Sequence, residues 1–113
     1  MVDSITIAAR SAGRAHGWDT QHLTEAELEY RRFVDLARRH PGEPFVPSID
    51  VDLVWHEHLE SGDAPRHDTH TTIDRDDRFA RTLARYAEHF GLQPGPLWTA
   101  AADCQVEDEP PPD

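Results

Sequence analysis

The stretch PGEPFVPS at residues 41–48 constrains the fold most, since it holds three prolines and a glycine. Proline lacks the backbone N–H that a helix needs, and it pushes the residue before it out of the helical region. A helix that precedes this stretch must end near His40, and a helix that follows it needs a new N-terminal cap. Phe45 and Val46 are available to pin this extended connector to a core.

Apolar residues recur at helical spacing on both sides of the connector. Before it, Thr24 and Glu27 have the spacing of a capping box at the start of a helix. After it, Ser48 or Asp50 can cap a second helix. We therefore predict an all-α fold, a small bundle of three main helices over about 24–40, 50–60 and 74–90, with a Pro-rich connector and a His-containing loop. The buried face of the first helix is predicted to hold Ala26, Tyr30, Phe33, Val34 and Ala37.

The remaining segments complete a one-domain organisation. A weak first helix can begin with Ser4 as its cap and end at Gly13 or Gly17. Residues 61–72 have the composition of a loop, and Gly91 is a C-cap for the last helix, onto which Leu97 and Trp98 fold back. We expect a single helical domain over 1–98 and an acidic, Pro-rich disordered tail over 99–113.

The charge balance excludes several partners. The 113 residues carry 22 acidic side chains against 11 arginines, a net charge of −11, which opposes nucleic-acid phosphates and anionic lipids. We expect no nucleic acid and no membrane as partners.

The single cysteine, Cys104, forms no internal disulfide, and the first residues lack a signal-peptide pattern, so the predicted location is the cytoplasm. The absence of lysine and asparagine indicates a GC-rich bacterial genome.

The helix predicted over 50–60 carries the residues with chemical interest. Asp52 and His56 are four residues apart, so their side chains converge on one side of the helix, with Glu60 one turn further along. His58 falls instead on the apolar face with Trp55, and a regular helix does not bring both histidines to one ion.

The following loop adds His67 and His70, three residues apart. Histidine and carboxylate together form the ligand set of a borderline divalent cation. We predict one divalent transition metal ion, zinc, iron or copper, bound through His56, His67 and His70. Asp52 serves as the fourth ligand or orients one of them, and His58 is the alternative to His56.

Each of these residues also has a simpler interpretation. His58 can be a hydrogen-bonded core histidine, Asp52 and His56 an ion pair, and Trp55 a core anchor rather than the wall of a substrate pocket. The loop histidines can be solvated. The other histidines lack a partner at ligand spacing and are interpreted as surface or capping residues: His16, His22, His40 and His89. Glycine-rich phosphate loops, GxSxG and CxxC are absent from the sequence.

The string YRRFVDLARRHPGEPFVPSIDVDLVWHEHL, residues 30–59, resembles the glycine-rich-domain-containing-protein-like family of bacteria and plants, which carries a D-V-D-x-x-W-H-x-H signature after a proline-rich connector. Residues 66–91 resemble the same family's second block, a His-His-Asp pattern before a helix. The resemblance implies no defined reaction. It puts six residues at motif positions: Asp50, Asp52, Trp55, His56, His58 and His67. The chain differs from the family in a shorter stretch between the blocks, in Arg66 where the first histidine stands, and in an acidic tail.

These observations favour a candidate metalloenzyme that acts on a small molecule in bacterial metabolism, for which specialised metabolism is one candidate setting. Glu57 or Glu60 is the candidate general base, and Trp55 lines the substrate pocket in this hypothesis. Two other classes stay open: a metal-free interaction or scaffold module whose histidines are structural, and a metal chaperone or sensor. A homodimer through an exposed Trp18 or Trp98 is a further expectation.

Overall fold

The computed structural model describes residues 3–40, 45–62, 64, 67–68, 75–91, 97–98 and 105–106, with the backbone alone at 67–68, 75–76 and 105–106. These ranges contain four helices and two short antiparallel strands, which confirms the predicted all-α class and its three main helices. None of the described helices has both the length and the apolar character needed to cross a bilayer. The elements are α1 Ser4–His16, α2 Thr20–Arg39, α3 Ile49–Leu59, β1 His67–Asp68, α4 Arg75–Phe90 and β2 Gln105–Val106.

Helix α1 ends at one of the two predicted glycines and is capped by a different residue. Asp3, rather than Ser4, is the N-cap, because its carboxylate accepts a backbone N–H of the first turn at 2.9 Å. The helix passes through Gly13 and ends at Gly17, which has a φ of 69°. A Cβ atom at Gly13 would lie 2.6 Å from Leu23 Cδ1. Gly13 therefore allows α2 to pack closely on α1.

Helix α2 begins four residues before the predicted start. Asp19 is its cap and accepts a backbone N–H of the first turn at 2.8 Å. The predicted capping box is wrong, because the Thr24 hydroxyl donates to the Thr20 carbonyl at 2.9 Å and Glu27 accepts from Arg31. A strong local cap at Asp19 thus displaces a weaker one further along.

Helices α3 and α4 agree closely with the prediction. Of the two candidate caps of α3, Ser48 is the one used: its side chain accepts from the backbone N–H of Val51. Helix α4 ends before Gly91, which has a φ of 66° and donates its N–H to the Ala87 carbonyl at 2.9 Å. Within the predicted loop and tail, His67–Asp68 and Gln105–Val106 pair as β1 and β2.

The core forms where α1, α2, the connector and α3 meet. The predicted apolar face of α2 is buried throughout, and Phe45 and Val46 of the connector are each 1% exposed. Trp98 folds back as predicted, is 5% exposed, and packs against Phe33, Phe79 and Tyr86. A buried Trp98 is not an exposed dimer surface, so that part of the dimer expectation is wrong.

A buried polar cluster joins α2 to α4. The Tyr86 hydroxyl donates to Glu29 Oε1 at 2.5 Å and accepts from Arg32, whose guanidinium also pairs with Glu29 at 3.3 Å. Arg32 lies over the rings of Tyr86 and Phe90. Burial, together with the bond to Glu29, raises the pKa of Tyr86 to about 12, so the phenol keeps its proton at neutral pH.

Candidate metal centre

Helix α3 directs its signature residues to different sides. Val51, Val54 and Trp55 are all fully buried, and the Trp55 ring packs against Phe33 with centroids 5.2 Å apart. Trp55 therefore occupies the core-anchor role, and it is not among the residues that line the described cleft between α1 and α3. Its predicted place in a substrate pocket stays a prediction.

His58 is a buried histidine with a hydrogen bond at each ring nitrogen. Its Nδ1 atom lies 2.6 Å from the Tyr30 hydroxyl, and its Nε2 atom lies 2.9 Å from Ser4 Oγ. His58 is 1% exposed, and Tyr30 packs edge-on against its ring. His58 therefore has the contacts of a structural core histidine, and its role as the alternative metal ligand stays a prediction.

Tyr30 shares a hydrogen bond with one ring nitrogen of His58, and Ser4 shares one with the other. Burial raises the pKa of Tyr30, so the phenol keeps its proton at neutral pH. A serine and a histidine at this distance resemble an activated nucleophile. Here the same imidazole also contacts the buried Tyr30, so the contact ties α1 to both α3 and α2.

Asp50 has a structural contact as well. Its Oδ2 atom lies 3.0 Å from His22 Nε2, and both side chains are about a third exposed or less. The His22 ring packs against Trp18 with centroids 4.8 Å apart. The first aspartate of the signature thus joins the N-terminal turns of α2 and α3, a pairing that sequence spacing does not reveal.

Asp52 and His56 converge as the spacing predicts. His56 Nε2 lies 3.2 Å from Asp52 Oδ2, and the side chains are 48% and 15% exposed respectively. The pair therefore has a largely buried carboxylate and a half-exposed imidazole at the protein surface. This is the part of the predicted site that the described residues bring together.

The donor set of this pair fits a divalent ion. Zinc binds histidine nitrogen and carboxylate oxygen at about 2.0–2.2 Å, which puts two donors of one tetrahedral ion about 3.3 Å apart. The observed separation of 3.2 Å is also that of an ion pair. Among the side chains that the structure describes, no three from His, Cys, Asp and Glu group around one point. Any further ligand must come from elsewhere in the chain.

The two loop histidines do not add to this description. The backbone of His67 is described in β1, and its side chain is not. His70 lies outside the described residues. Their predicted ligand roles therefore stay predictions.

The two candidate general bases line one cleft between α1 and α3. The cleft has a volume of about 240 Å³. Glu57 accepts a hydrogen bond of 2.5 Å from Ser11 Oγ, which holds its carboxylate at the α1 side, and Glu60 is exposed at the end of α3. The lining residues are Ser4, Ile7, Ala8, Ser11, Glu57, Glu60 and Ser61.

Sequence reasoning missed the polar groups that come from distant segments. Ser4 of α1 contacts His58 of α3, and Ser11 of α1 contacts Glu57 of α3. His40 contacts His89 across 49 residues of chain. A serine in a helix has no sequence signal for a tertiary contact. Only the packing of α1 on α3 and of α2 on α4 creates these pairs.

Comparison with known proteins identifies the family of this chain. A family model described as glycine-rich domain-containing protein-like matches residues 7–64, just over half of the 113 residues. The match contains the D-V-D-x-x-W-H-x-H element and ends before the second block at 66–91. No curated protein and no solved structure matches the chain. The family match covers most of α1, all of α2 and α3, and the connector, and the chain belongs to the glycine-rich domain-containing protein-like family.

Proposed function

We propose that this protein binds one divalent transition metal ion, zinc, iron or copper, on the outer side of α3. The observation that carries the proposal is the pair formed by His56 Nε2 and Asp52 Oδ2, 3.2 Å apart and partly exposed. Imidazole and carboxylate together select ions of the zinc and iron class over magnesium or calcium. His67 and His70, which follow α3 in the chain, are the proposed further ligands.

We further propose that the ion supports chemistry on a small molecule. A divalent ion of this class supplies Lewis-acid activation when bound. The cleft between α1 and α3 offers a site for the substrate, with the Glu57 carboxylate held by Ser11. Glu60 follows His56 by one helical turn and lines the cleft, so it is the better-placed general base of the two.

The proposed setting is the reducing cytoplasm of a bacterium. The single cysteine and the absence of lysine and asparagine from the sequence support it. A role in specialised metabolism is part of the same proposal.

Elemental analysis tests the metal site. Untagged protein is expressed in metal-replete medium and passed over a desalting column, beside His56→Ala, Asp52→Asn and His67→Ala variants. His16→Ala, which removes an exposed histidine at the end of α1, is the matched control. We expect about one equivalent in the parent and in the control, and loss in His56→Ala. Equal metal in the parent and His56→Ala, or a folded parent without metal, overturns the proposal.

One observation favours a second candidate, the metal-free interaction or scaffold module. Two signature residues besides the apolar ones have structural contacts: Asp50 with His22, and His58 with Tyr30 and Ser4. In this alternative Asp52 and His56 form an ion pair at the surface of α3. It predicts that a chelator leaves both the Tm and partner binding unchanged, whereas the metal proposal predicts a lower Tm.

A further inference from the structure

A second pair of histidines meets where the C-terminal ends of α2 and α4 come together. His40 is the C-cap of α2, and His89 lies in the last turn of α4. Their Nε2 atoms are 2.6 Å apart, and their ring centroids are 4.8 Å apart with an interplanar angle of 60°. The Nε2 atoms, which are the ring nitrogens farther from the backbone, thus point at a common position.

The His40 ring is held in place before any ligand arrives. The backbone N–H of His40 donates to the Leu36 carbonyl at 3.1 Å, which fixes the end of α2. The imidazole packs edge-on against Phe45, a connector residue that is 1% exposed. His89 is exposed on a regular helical turn. One imidazole is therefore anchored and the other can adjust, an arrangement that lowers the entropy lost on ligand binding.

The backbone dipoles of the two helices favour a cation at this position. The carbonyl end of a helix carries a partial negative charge, and here two such ends meet. A hydrogen bond between two Nε2 atoms needs a single proton between them. With two protons the N–H groups would face each other, and with none the two lone pairs would repel. A metal ion can replace this proton, since it accepts both lone pairs at once.

We infer that His40 and His89 form a cation site, distinct from the one on α3, that binds a divalent transition metal ion of the zinc class through both Nε2 atoms. Zinc–nitrogen bonds of 2.0–2.1 Å in tetrahedral geometry put two nitrogens about 3.3 Å apart. The pair must therefore open by about 0.7 Å, which a small rotation of the exposed His89 side chain provides. With two ligands from the residues that the structure describes, the ion exchanges readily and links α2 to α4.

A zinc titration of the metal-stripped full chain tests the site, read by calorimetry and by Tm. The comparison is made in the His56→Ala background, which removes the site proposed on α3 and keeps the two hypotheses separate. We expect zinc to bind His56→Ala and to raise its Tm by several degrees. The double variant His56→Ala/His89→Ala is expected to lose both the binding heat and the Tm rise. His56→Ala/His16→Ala is the matched control and is expected to keep both.

A second substitution guards against an effect on folding. His89→Gln keeps a polar side chain of similar length on α4, so its Tm without zinc is expected to match that of the parent, while its response to zinc is lost. Equal zinc binding with and without His89, or no zinc binding in the His56→Ala background, overturns the inference. A response that falls equally in the His16 and His89 variants also overturns it, because scattered surface histidines would then be the binding groups.

Discussion

His58 and Tyr30 form a buried hydrogen bond that joins α3 to α2. The Tyr30 hydroxyl lies 2.6 Å from His58 Nδ1, and both residues are 1% exposed or less. Ser4 Oγ shares a hydrogen bond of 2.9 Å with the other ring nitrogen, Nε2. A single imidazole thus connects three helices, and this arrangement explains why a polar residue stands on the apolar face of α3.

Tyr30→Phe is expected to destabilise the protein by about 1–3 kcal/mol, because it removes the hydrogen-bond partner of the buried Nδ1 atom of His58. Ser4→Ala removes the other bond at a half-buried position, where water can replace the hydroxyl, and is expected to have the smaller effect. Urea unfolding of the parent and both variants measures the two differences. An equal or smaller loss in Tyr30→Phe would contradict this account of the network.

Thr82 fixes the connector to α4. Its hydroxyl accepts from the Val46 backbone N–H at 3.0 Å and donates to the Arg78 carbonyl at 2.8 Å, and the residue is fully buried. Thr82→Val should cost about 1–3 kcal/mol of unfolding free energy, since the Val46 N–H then lacks an acceptor. Thr24→Val, at an exposed position of α2, is the control, and urea unfolding is the measurement. Similar values for the two variants would show that the Val46 bond contributes nothing.

Tyr86 makes the protein sensitive to alkali. Burial and the bond to Glu29 raise its pKa from 10.0 to about 12 in the folded state. A raised pKa gives stability that is complete below the unfolded pKa and is lost as the pH rises from about 10 to about 12. The Tm of the parent should therefore fall more between pH 9 and pH 11.5 than that of Tyr86→Phe, measured by circular dichroism. Parallel declines would remove Tyr86 as the cause.

Asp3 has the opposite dependence, at acid pH. Its bidentate ion pair with Arg31 and its bond to the Thr6 N–H hold the pKa of the carboxyl well below its usual range. A lowered pKa gives stability that is present above the unfolded pKa and is lost as the pH falls below it. The Tm difference between the parent and Asp3→Asn is expected to shrink below about pH 4.

A matched control for this acid effect is Asp35→Asn, which removes an exposed carboxylate 3.0 Å from Arg39 within α2. Exposed i,i+4 pairs contribute about 0.3–0.5 kcal/mol, so this variant should change little. Thermal unfolding at several pH values between 7 and 2.5 gives both comparisons. If the Asp3→Asn difference stays constant with pH, the Arg31 contact is not its source.

Local sequence signals determined the helices of this protein. The proline-rich connector ends α2 and forces a new cap, and the apolar spacing of Tyr30, Phe33 and Val34 identified the buried face. The same spacing logic brought Asp52 and His56 together on α3. These features depend on residues within one or two helical turns, so helix geometry alone is enough to predict them.

Only the tertiary structure decided which polar residues pair between helices. Asp50 with His22, His58 with Tyr30, and His40 with His89 are separated by 28 to 49 residues of chain. Their distances depend on how α2, α3 and α4 pack, and no periodicity within a single helix encodes that packing. Sequence therefore established the helices and one candidate donor pair. Three-dimensional packing decided which histidine is buried between helices and which imidazoles form the two exposed sites. The reason is that burial and partner geometry are properties of the whole fold.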